Sequence, residues 1–568
     1  MGLCFLGFVF VGIHWGSGVG VFPAPDHSKL SFLQTRFRTG AGDGNRTHVA
    51  SLEGWSSTIE LHPRADLDTN LTNEVVNSNG SLREPMQPES PGEINRGLNS
   101  NLEKVRSTIM KSLLLIGGRV IDPANRLDQT TDLLITNGKI AAIGPNAAVQ
   151  APADAERIDV AGLVVAPGLI DLHVHLREPG QTAKETIATG TAAAARGGFT
   201  SIVCMPNTSP TIDNSGTVAL IHDRAAKQGV VNVFVAGAIT RNIAGEELAP
   251  IGSLKRAGVV AITDDGHCVQ NNEIMRRALE YARMFDLPIM DHCQDYSLVS
   301  DGVMHEGYWS TALGLRGWPA AGEEMIVARN ILLAEMTGAR IHCQHISAAG
   351  SVQLLREARR RGLPVSGEAC PHHFTLTDIA IAGSEKFWQA DGKGIFGHNF
   401  ERPHWPAYDT NFKMNPPLRS ARDREAILEG IVDGTLEILC SDHAPHCDYE
   451  KAVEFDNAPF GITGLETELP LSLMQLYHTK RLGLPELIAK FTLAPARLLG
   501  LAKGTLNIGA DADVTVFDAD HEWVFDKTSS ASKSGNSPFE GWRLKGKSVT
   551  TIVGGRKVWA EEFVMTAT

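Results

Sequence analysis

Eight apolar runs alternating with helix-like segments predict an α/β protein built on a parallel (β/α)8 barrel of the TIM type. Short alternating strands with turn signals occupy both ends of the second part of the chain. They predict a small β-sandwich assembled from the two ends. A third observation concerns function. Polar residues gather just after the apolar core of each barrel run, which is where barrel active sites form.

In chain order, residues 1–109 differ in character from the rest of the chain. Leu3 to Val11 is apolar enough for a signal-peptide core, but no Lys or Arg precedes it and it is too short to span a membrane. Asp66 to Ser107 is polar, without helical or strand period, and is expected to be disordered. Between them, Gly40 to Pro63 (GAGDGNRTHVASLEGWSSTIELHP) resembles the conceptual translation of the antisense strand of a glycine tRNA gene. The expectation is therefore a gene start placed too early, with Met110 as the true start.

Residues 110–165 and 503–568 are assigned to the sandwich. SLLLIGGRVID, DLLITNGKIAAIG and ERIDVAGLVV lead in, and GADADVTVFD with SVTTIVGGRKVW closes it. Asn137-Gly138 between apolar runs is a hairpin signal. Residues 166–502 are assigned to the barrel. Its strands are read in LVVAPGLIDLHVHL, TSIVCMPN, VNVFVAGAIT, GVVAITDDG, LPIMDHC, ARIHCQHIS, LPVSGEACPHH and LEILCSDHAPH. KETIATGTAAAARGG, EIMRRALEYARMF and EEMIVARNILLAEMTG are among the intervening helices.

A net charge of −13 argues against nucleic acid or an acidic membrane as partner, because both reward clustered Lys and Arg. Of eight Cys, seven (Cys204, Cys268, Cys293, Cys343, Cys370, Cys440 and Cys447) lie in or beside apolar runs and form no CxxC pair. Reduced thiols and a cytoplasmic location are expected.

On a strand, His173 and His175 point the same way, and Arg177 follows. Asn207, Asp264, Asp265, His292, His345, Asp442 and His446 end later strands. Each alone has a plainer explanation: a strand-end His is often only hydrogen-bonded, and Asp in DDG is often a turn former. Four His and two Asp at one barrel face favour a metal site instead. Imidazole and carboxylate suit Zn²⁺ or similar ions. Two such ions about 3.5–4 Å apart can share a hydroxide that is nucleophilic at neutral pH.

These residues sit in DLHVHLREPGQTAKETIATGTAAAARGGFTSIVCMPNT, ITDDG, MDHC, CQHIS, NFKMNPPLR, SDHAPH and APFGITGLET. With those motifs, 110–568 resembles the dihydroorotases of the amidohydrolase superfamily, in the bacterial type that uses no carbamylated lysine. The resemblance implies two Zn²⁺ per subunit. His173, His175 and Asp442 would hold one, His292 and His345 the other, with Asp265 and a hydroxide bridging. Asp442 would also be the catalytic acid/base. His175, Arg177, Asn207, Asn415, His446, Phe460 and Gly461 would contact substrate, with Arg177 and His446 on its carboxylate. Plainer readings stand beside these: Asn207 and Asn415 adjoin turn-forming Pro, and Arg177 has the alternative of an ordinary surface role.

The implied reaction is reversible cyclisation of N-carbamoyl-L-aspartate to L-dihydroorotate in pyrimidine synthesis. A homo-oligomer is expected, and association with aspartate carbamoyltransferase is implied as a further partner. Two alternatives are carried: another cyclic amidohydrolase of hydantoinase or allantoinase type, and a non-catalytic scaffold for that transferase. AITDDG offers no Lys where the former carry one, and none of the six ligand positions is missing, contrary to the latter. Residues 384–406 form an extra stretch relative to the family, read either as a lid or as a surface insertion. His398 and His404 within it are left out of the ligand set.

Overall fold

A computed structural model of the chain describes residues 111–390 and 402–561. The segment 1–109, the expected start at Met110 and His398 lie outside the described residues. The leading strands are β1 (Leu113–Asp122), β2 (Leu127–Thr136), β3 (Lys139–Ile143), β4 (Glu156–Asp159) and β5 (Val164–Pro167). Next come β6 (Leu169–Val174), β7 (Phe199–Cys204), β8 (Asn232–Gly237), β9 (Ala261–Ile262) and β10 (Ile289–Asp291). A short outlying pair, β11 (Met304–His305) and β12 (Gly317–Trp318), precedes β13 (Ile341–Cys343), β14 (Val365–Ala369) and β15 (Ile438–Leu439). β16 (Val514–Val524), β17 (Arg543–Val553) and β18 (Arg556–Ala560) end the series.

Strands β6 to β10 and β13 to β15 pair in sequence order, all parallel, and each of the eight apolar runs contributes one. β6 and β7 are buried along their whole length, as a sheet covered on both faces requires. Closure between the last strand and the first is sparse. It consists of a parallel bridge between Val174 and His443, with His175 N donating to His443 O at 2.9 Å. Asp171, fully buried on β6, reinforces it by accepting from Ser441 N at 3.2 Å and from the Ser441 hydroxyl. Burial raises the Asp171 pKa to about 6 despite these bonds.

The helices begin where capping chemistry allows. Ile187–Gly197 starts behind Thr186, whose hydroxyl accepts from Thr189 N. This leaves Lys184 and Glu185 ahead of the helix, free to face the barrel mouth. Asn271 caps Asn272–Arg283 and Ser420 caps Ala421–Val432 in the same manner.

The remaining strands join in one hydrogen-bonded sheet, ordered β18-β17-β16-β5-β1-β2-β3, with β4 also on β1. Strand β1 has a bulge between Leu115 and Gly118, and its parallel partner changes there from β4 to β5. Gly118 is needed at that bend, because a Cβ would approach Val165 Cγ2 to 2.6 Å. The halves of the sheet meet in one apolar cluster that includes Leu115, Leu133, Ile158, Val165, Val514 and Ile552.

The ends of the extra stretch are not a surface insertion. Helix Ser384–Ala390 buries Phe387 and Trp388, and Trp405 stacks on Phe412 with ring centroids 4.8 Å apart. Trp405 Nε1 donates to Ala380 O at 2.9 Å, and Trp542 from beyond β16 completes the cluster. His404 is exposed. Trp405→Ala is expected to destabilise the fold by about 3–5 kcal/mol, because it deletes a buried ring whose site cannot collapse. Urea unfolding of the variant checks this, and an unchanged midpoint would contradict it.

Candidate active site

The carboxyl ends of the barrel strands surround an open cavity of about 250 Å³. His175, Arg177, Asn207, Asp265, His292, His345, Asn415, Asp442, His446, Phe460 and Gly461 all line it. His173 lies just beneath, fully buried. Every site residue expected from the sequence is therefore at one mouth. Asp264 is not among them. It accepts from Ile239 N at 2.8 Å and Thr240 N at 3.0 Å, which makes it a turn support.

Four imidazoles converge on two carboxylates. His173 Nε2 stands 3.2 Å from Asp265 Oδ1 and 3.5 Å from Asp442 Oδ1. His175 Nε2 is 3.3 Å from Asp265 Oδ2 and 3.1 Å from Asp442 Oδ1. His345 Nε2 and His292 Nδ1 lie 3.7 and 3.8 Å from Asp265 Oδ1, and 2.9 Å from each other. Asp265 thus presents one oxygen to His175 and the other to His173, His292 and His345. Two compact ligand groups result, His173–His175–Asp442 and His173–Asp265–His345, with His173 common to both.

Three imidazoles have an acceptor on their outer nitrogen. His173 Nδ1 faces Glu368 Oε1 at 2.7 Å, His175 Nδ1 faces Asn207 Oδ1 at 2.9 Å, and His292 Nε2 faces Gln294 Oε1 at 2.8 Å. With those N–H groups donated outward, the inner nitrogens turn lone pairs toward the carboxylates, the arrangement that metal-ligating histidines adopt. Asp265 Oδ1 is buried without a hydrogen-bond partner among the described residues. An orphaned carboxylate oxygen beside inward-facing lone pairs is a donor set that fits a divalent cation.

The carboxylates that would draw a cation into the cluster also draw a proton. Burial pushes Asp265 and Glu368 toward higher pKa, yet neighbouring imidazoles, His173 first, outweigh it and hold both below the carboxylate range. Burial would likewise lower His173, but the Asp265, Asp442 and Glu368 carboxylates raise it well above its usual value. His292, buried beside His345, falls to about 4. Backbone geometry is special here too: Arg177, His345 and Asp442 have φ of 57°, 31° and 47°. Left-handed backbone at non-glycine residues costs energy and collects at functional sites.

The cavity also has a cationic part. Arg177 Nε donates to Pro445 O at 3.2 Å, and burial lowers its pKa only to about 10, so it stays charged at neutral pH. His446 Nε2 donates to Phe460 O at 2.8 Å, and its Nδ1 accepts from Lys184 Nζ at 3.3 Å. Burial, Arg177 and Lys184 together push His446 down to about 2, so it is neutral. Asn415 Oδ1 is buried without a partner among the described residues, while its Nδ2 donates to Gln294 at 3.2 Å. Asn207 lines the cavity and also supports the cluster. Its amide serves His175 and, through Nδ2, Asp265 O at 3.3 Å, so it orients the cluster. Gly461, at φ 119°, lies where a Cβ would approach Ala444 Cβ to 2.7 Å.

Glu368, Gln294 and Lys184 were not read from the sequence as site residues. Glu368 had a signal: a charge within an otherwise buried parallel strand needs a partner. Here the partners are His173 and, at 2.9 Å, His342 Nε2. Lys413 and Lys451 are further supports, donating to Phe455 O at 2.7 Å and Pro459 O at 2.8 Å beneath the loop that carries Phe460.

A parallel barrel with an imidazole–carboxylate cluster at its carboxyl mouth and an attached β-sheet defines an enzyme of the amidohydrolase class. The comparisons agree. Solved structures with the same fold include L-hydantoinase (dihydropyrimidinase) from Arthrobacter aurescens, at TM-score 0.67 and 24% identity, covering 80% of this chain and 96% of that one. Dihydropyrimidinase from Brevibacillus agri has TM-score 0.66 and 23% identity, covering 79% and 95%. A family model described as dihydro-orotase-like matches residues 162–351. Dihydroorotase of Syntrophotalea carbinolica is 50% identical over 444 residues, 78% of this chain and 98% of that protein. Dihydroorotase of Pelotomaculum thermopropionicum is 50% identical over 452 residues, 80% and 99%. The chain belongs to the dihydroorotase family.

Loss of the Glu368 carboxylate frees the His173 ring and weakens its inner donor. Glu368→Gln is therefore expected to weaken divalent-cation binding by roughly 10–100-fold. Competition with a chromophoric chelator measures this, and unchanged affinity would remove Glu368 from the support of the cluster.

Proposed function

We propose that this protein catalyses the reversible cyclisation of N-carbamoyl-L-aspartate to L-dihydroorotate in pyrimidine synthesis. The observation that carries this reading is the pairing, in one cavity, of the imidazole–carboxylate cluster with a fixed cationic wall of Arg177 beside His446. A cyclic amide that bears a carboxylate matches both halves. Two Zn²⁺ ions are assigned to the cluster: His173, His175 and Asp442 to one, His292 and His345 to the other, with Asp265 between. Bound there, such ions lower the pKa of water to give a nucleophile at neutral pH and polarise an amide carbonyl.

The chain's own residues do the rest. In the hydrolytic direction a C–O bond forms at the ring amide carbon and the C–N bond breaks. Asp442 takes the proton lost by the attacking water and hands it to the departing ring nitrogen. Its Oδ1 lies 3.1 Å from His175 Nε2, within the cluster. Arg177 pairs with the substrate carboxylate, and the neutral His446 stands beside it. Asn415 Oδ1, which has no partner among the described residues, accepts a ring N–H. Asn207 keeps His175 oriented.

The reading extends to a cytoplasmic homo-oligomer that associates with aspartate carbamoyltransferase, supported by the family resemblance. Among the described residues no helix is long and apolar enough to cross a membrane. The division into a barrel of residues 166–502 and a small domain of residues 110–165 and 503–568 belongs to the same proposal.

The test is turnover of both compounds by the purified protein with its metal counted. Turnover with about two zinc ions per chain is expected. Asp442→Asn should lower kcat by roughly 10²–10⁴-fold, as loss of a general acid/base does. Arg177→Lys should raise KM, because an ammonium cannot make the paired guanidinium contacts. Hydrolysis of hydantoin or allantoin in preference to dihydroorotate would transfer the chain to another substrate. A metal-free active protein would overturn the assignment of the ions.

A further inference from the structure

Between β16 and β17 the chain crosses from the small sheet to the barrel mouth. Residues 530–537 are pinned there in steps. Ser530 Oγ and Ala531 N donate to Glu466 Oε1 at 2.7 and 2.8 Å. The Ser532 hydroxyl and Lys533 N donate to Glu185, and Ser534 Oγ donates to Lys184 O at 2.6 Å.

Asn536 then enters the barrel mouth and is 2% exposed. Its Oδ1 accepts from His446 N at 3.0 Å. Its Nδ2 donates to Ala444 O and to Gly461 O, both at 3.1 Å. Its own carbonyl accepts from Thr463 N at 3.0 Å. One side chain therefore joins the loop 444–446 to the loop 461–463, and no apolar or acidic residue of this size can both donate twice and accept. The first loop carries His446 and, through Pro445 O, sets the Arg177 guanidinium. The second carries Gly461, next to the Phe460 carbonyl that His446 bonds.

We propose that Asn536 is a positioning residue for substrate carboxylate binding, supplied to the barrel by the small domain. It touches no member of the imidazole–carboxylate cluster. Its work is to hold Arg177 and His446 at fixed spacing. The identity of the bound carboxylate rests on the function proposed above, while the loop-tying role does not.

Asn536→Ala leaves one N–H and two carbonyls unpaired in a buried position, so both loops must shift. KM for dihydroorotate is expected to rise roughly tenfold, while kcat stays within about threefold and the metal content is unchanged. Asn536→Asp keeps the acceptor for His446 N but has no N–H for the two carbonyls, and is expected to fail likewise. Ser530→Ala, which loosens the same segment away from the loops, should leave KM unaltered.

Hydrogen exchange reads the same claim without substrate: the amides of His446 and Thr463 should exchange faster in Asn536→Ala and not in Ser530→Ala. Unchanged KM with unchanged exchange would overturn the proposal. So would a fall in thermal stability and kcat with KM intact, which would mark Asn536 as structural only. Should the wild-type enzyme turn over neither dihydroorotate nor carbamoyl-aspartate, the functional reading fails, and the exchange result still decides the role of Asn536.

Discussion

The site depends on how β15 is brought back against β6. Only a short ladder closes the barrel: the Val174–His443 bridge, and the buried Asp171 carboxylate holding Ser441. Asp442 lies between these two contacts, with a left-handed backbone that turns its side chain inward. Its oxygen reaches His175 and His173 because closure sets strand ends from opposite extremes of the barrel segment side by side. A parallel barrel gains no local hairpin to enforce that register. A buried carboxylate accepting from the facing strand therefore does work that backbone pairing does elsewhere.

Electrostatics then organises what closure assembles. Three buried carboxylates, Asp265, Asp442 and Glu368, share a small volume with four imidazoles. The burial that would neutralise them is overruled by their neighbours. Glu368, Asn207 and Gln294 stand behind the rings and fix which nitrogen faces inward. The same cavity carries permanent positive charge at Arg177 and a neutral His446 beside it. A ligand with a carboxylate at one end and an amide carbonyl at the other matches that combination.

The small sheet is more than a support for the barrel. It bends at the Gly117-Gly118 bulge, closes over its own apolar cluster, and sends residues 530–537 across to the mouth. Glu185 and Lys184, left outside the helix that Thr186 caps, receive that segment. The aromatic cluster of Phe387, Trp405, Phe412 and Trp542 ties the extra stretch to the same carboxyl-terminal part. Asn536 thereby reaches a site whose first cluster residue, His173, comes about 360 residues earlier.

What the amino-acid order determined alone is the set of parts. Continuous apolar runs of strand length separated by helical periods define a parallel barrel, because both faces of each strand must be buried. Polar residues at the ends of those runs can then lie only at one mouth. This is why His173, His175, Asp265, His292, His345 and Asp442 were legible as a group. Their second partners were not. Glu368, Lys184 and Asn536 act through contacts made across the barrel or between its two attached ends, while Gln294 is local to His292 and reaches across only to Asn415. Sequence separation carries no information about which buried carboxylate will face which ring. Asn207 looks in the sequence like a residue for substrate, and the fold adds contacts of its amide to His175 and Asp265 that the sequence does not show. The ends of the extra stretch, equally readable as surface, are anchored because Trp388 and Trp405 pack against Trp542, far along the chain. Pattern decides which side chains are buried, since burial follows periodicity. Only the closed barrel decides what each buried polar group meets, since that depends on packing between elements far apart in the chain.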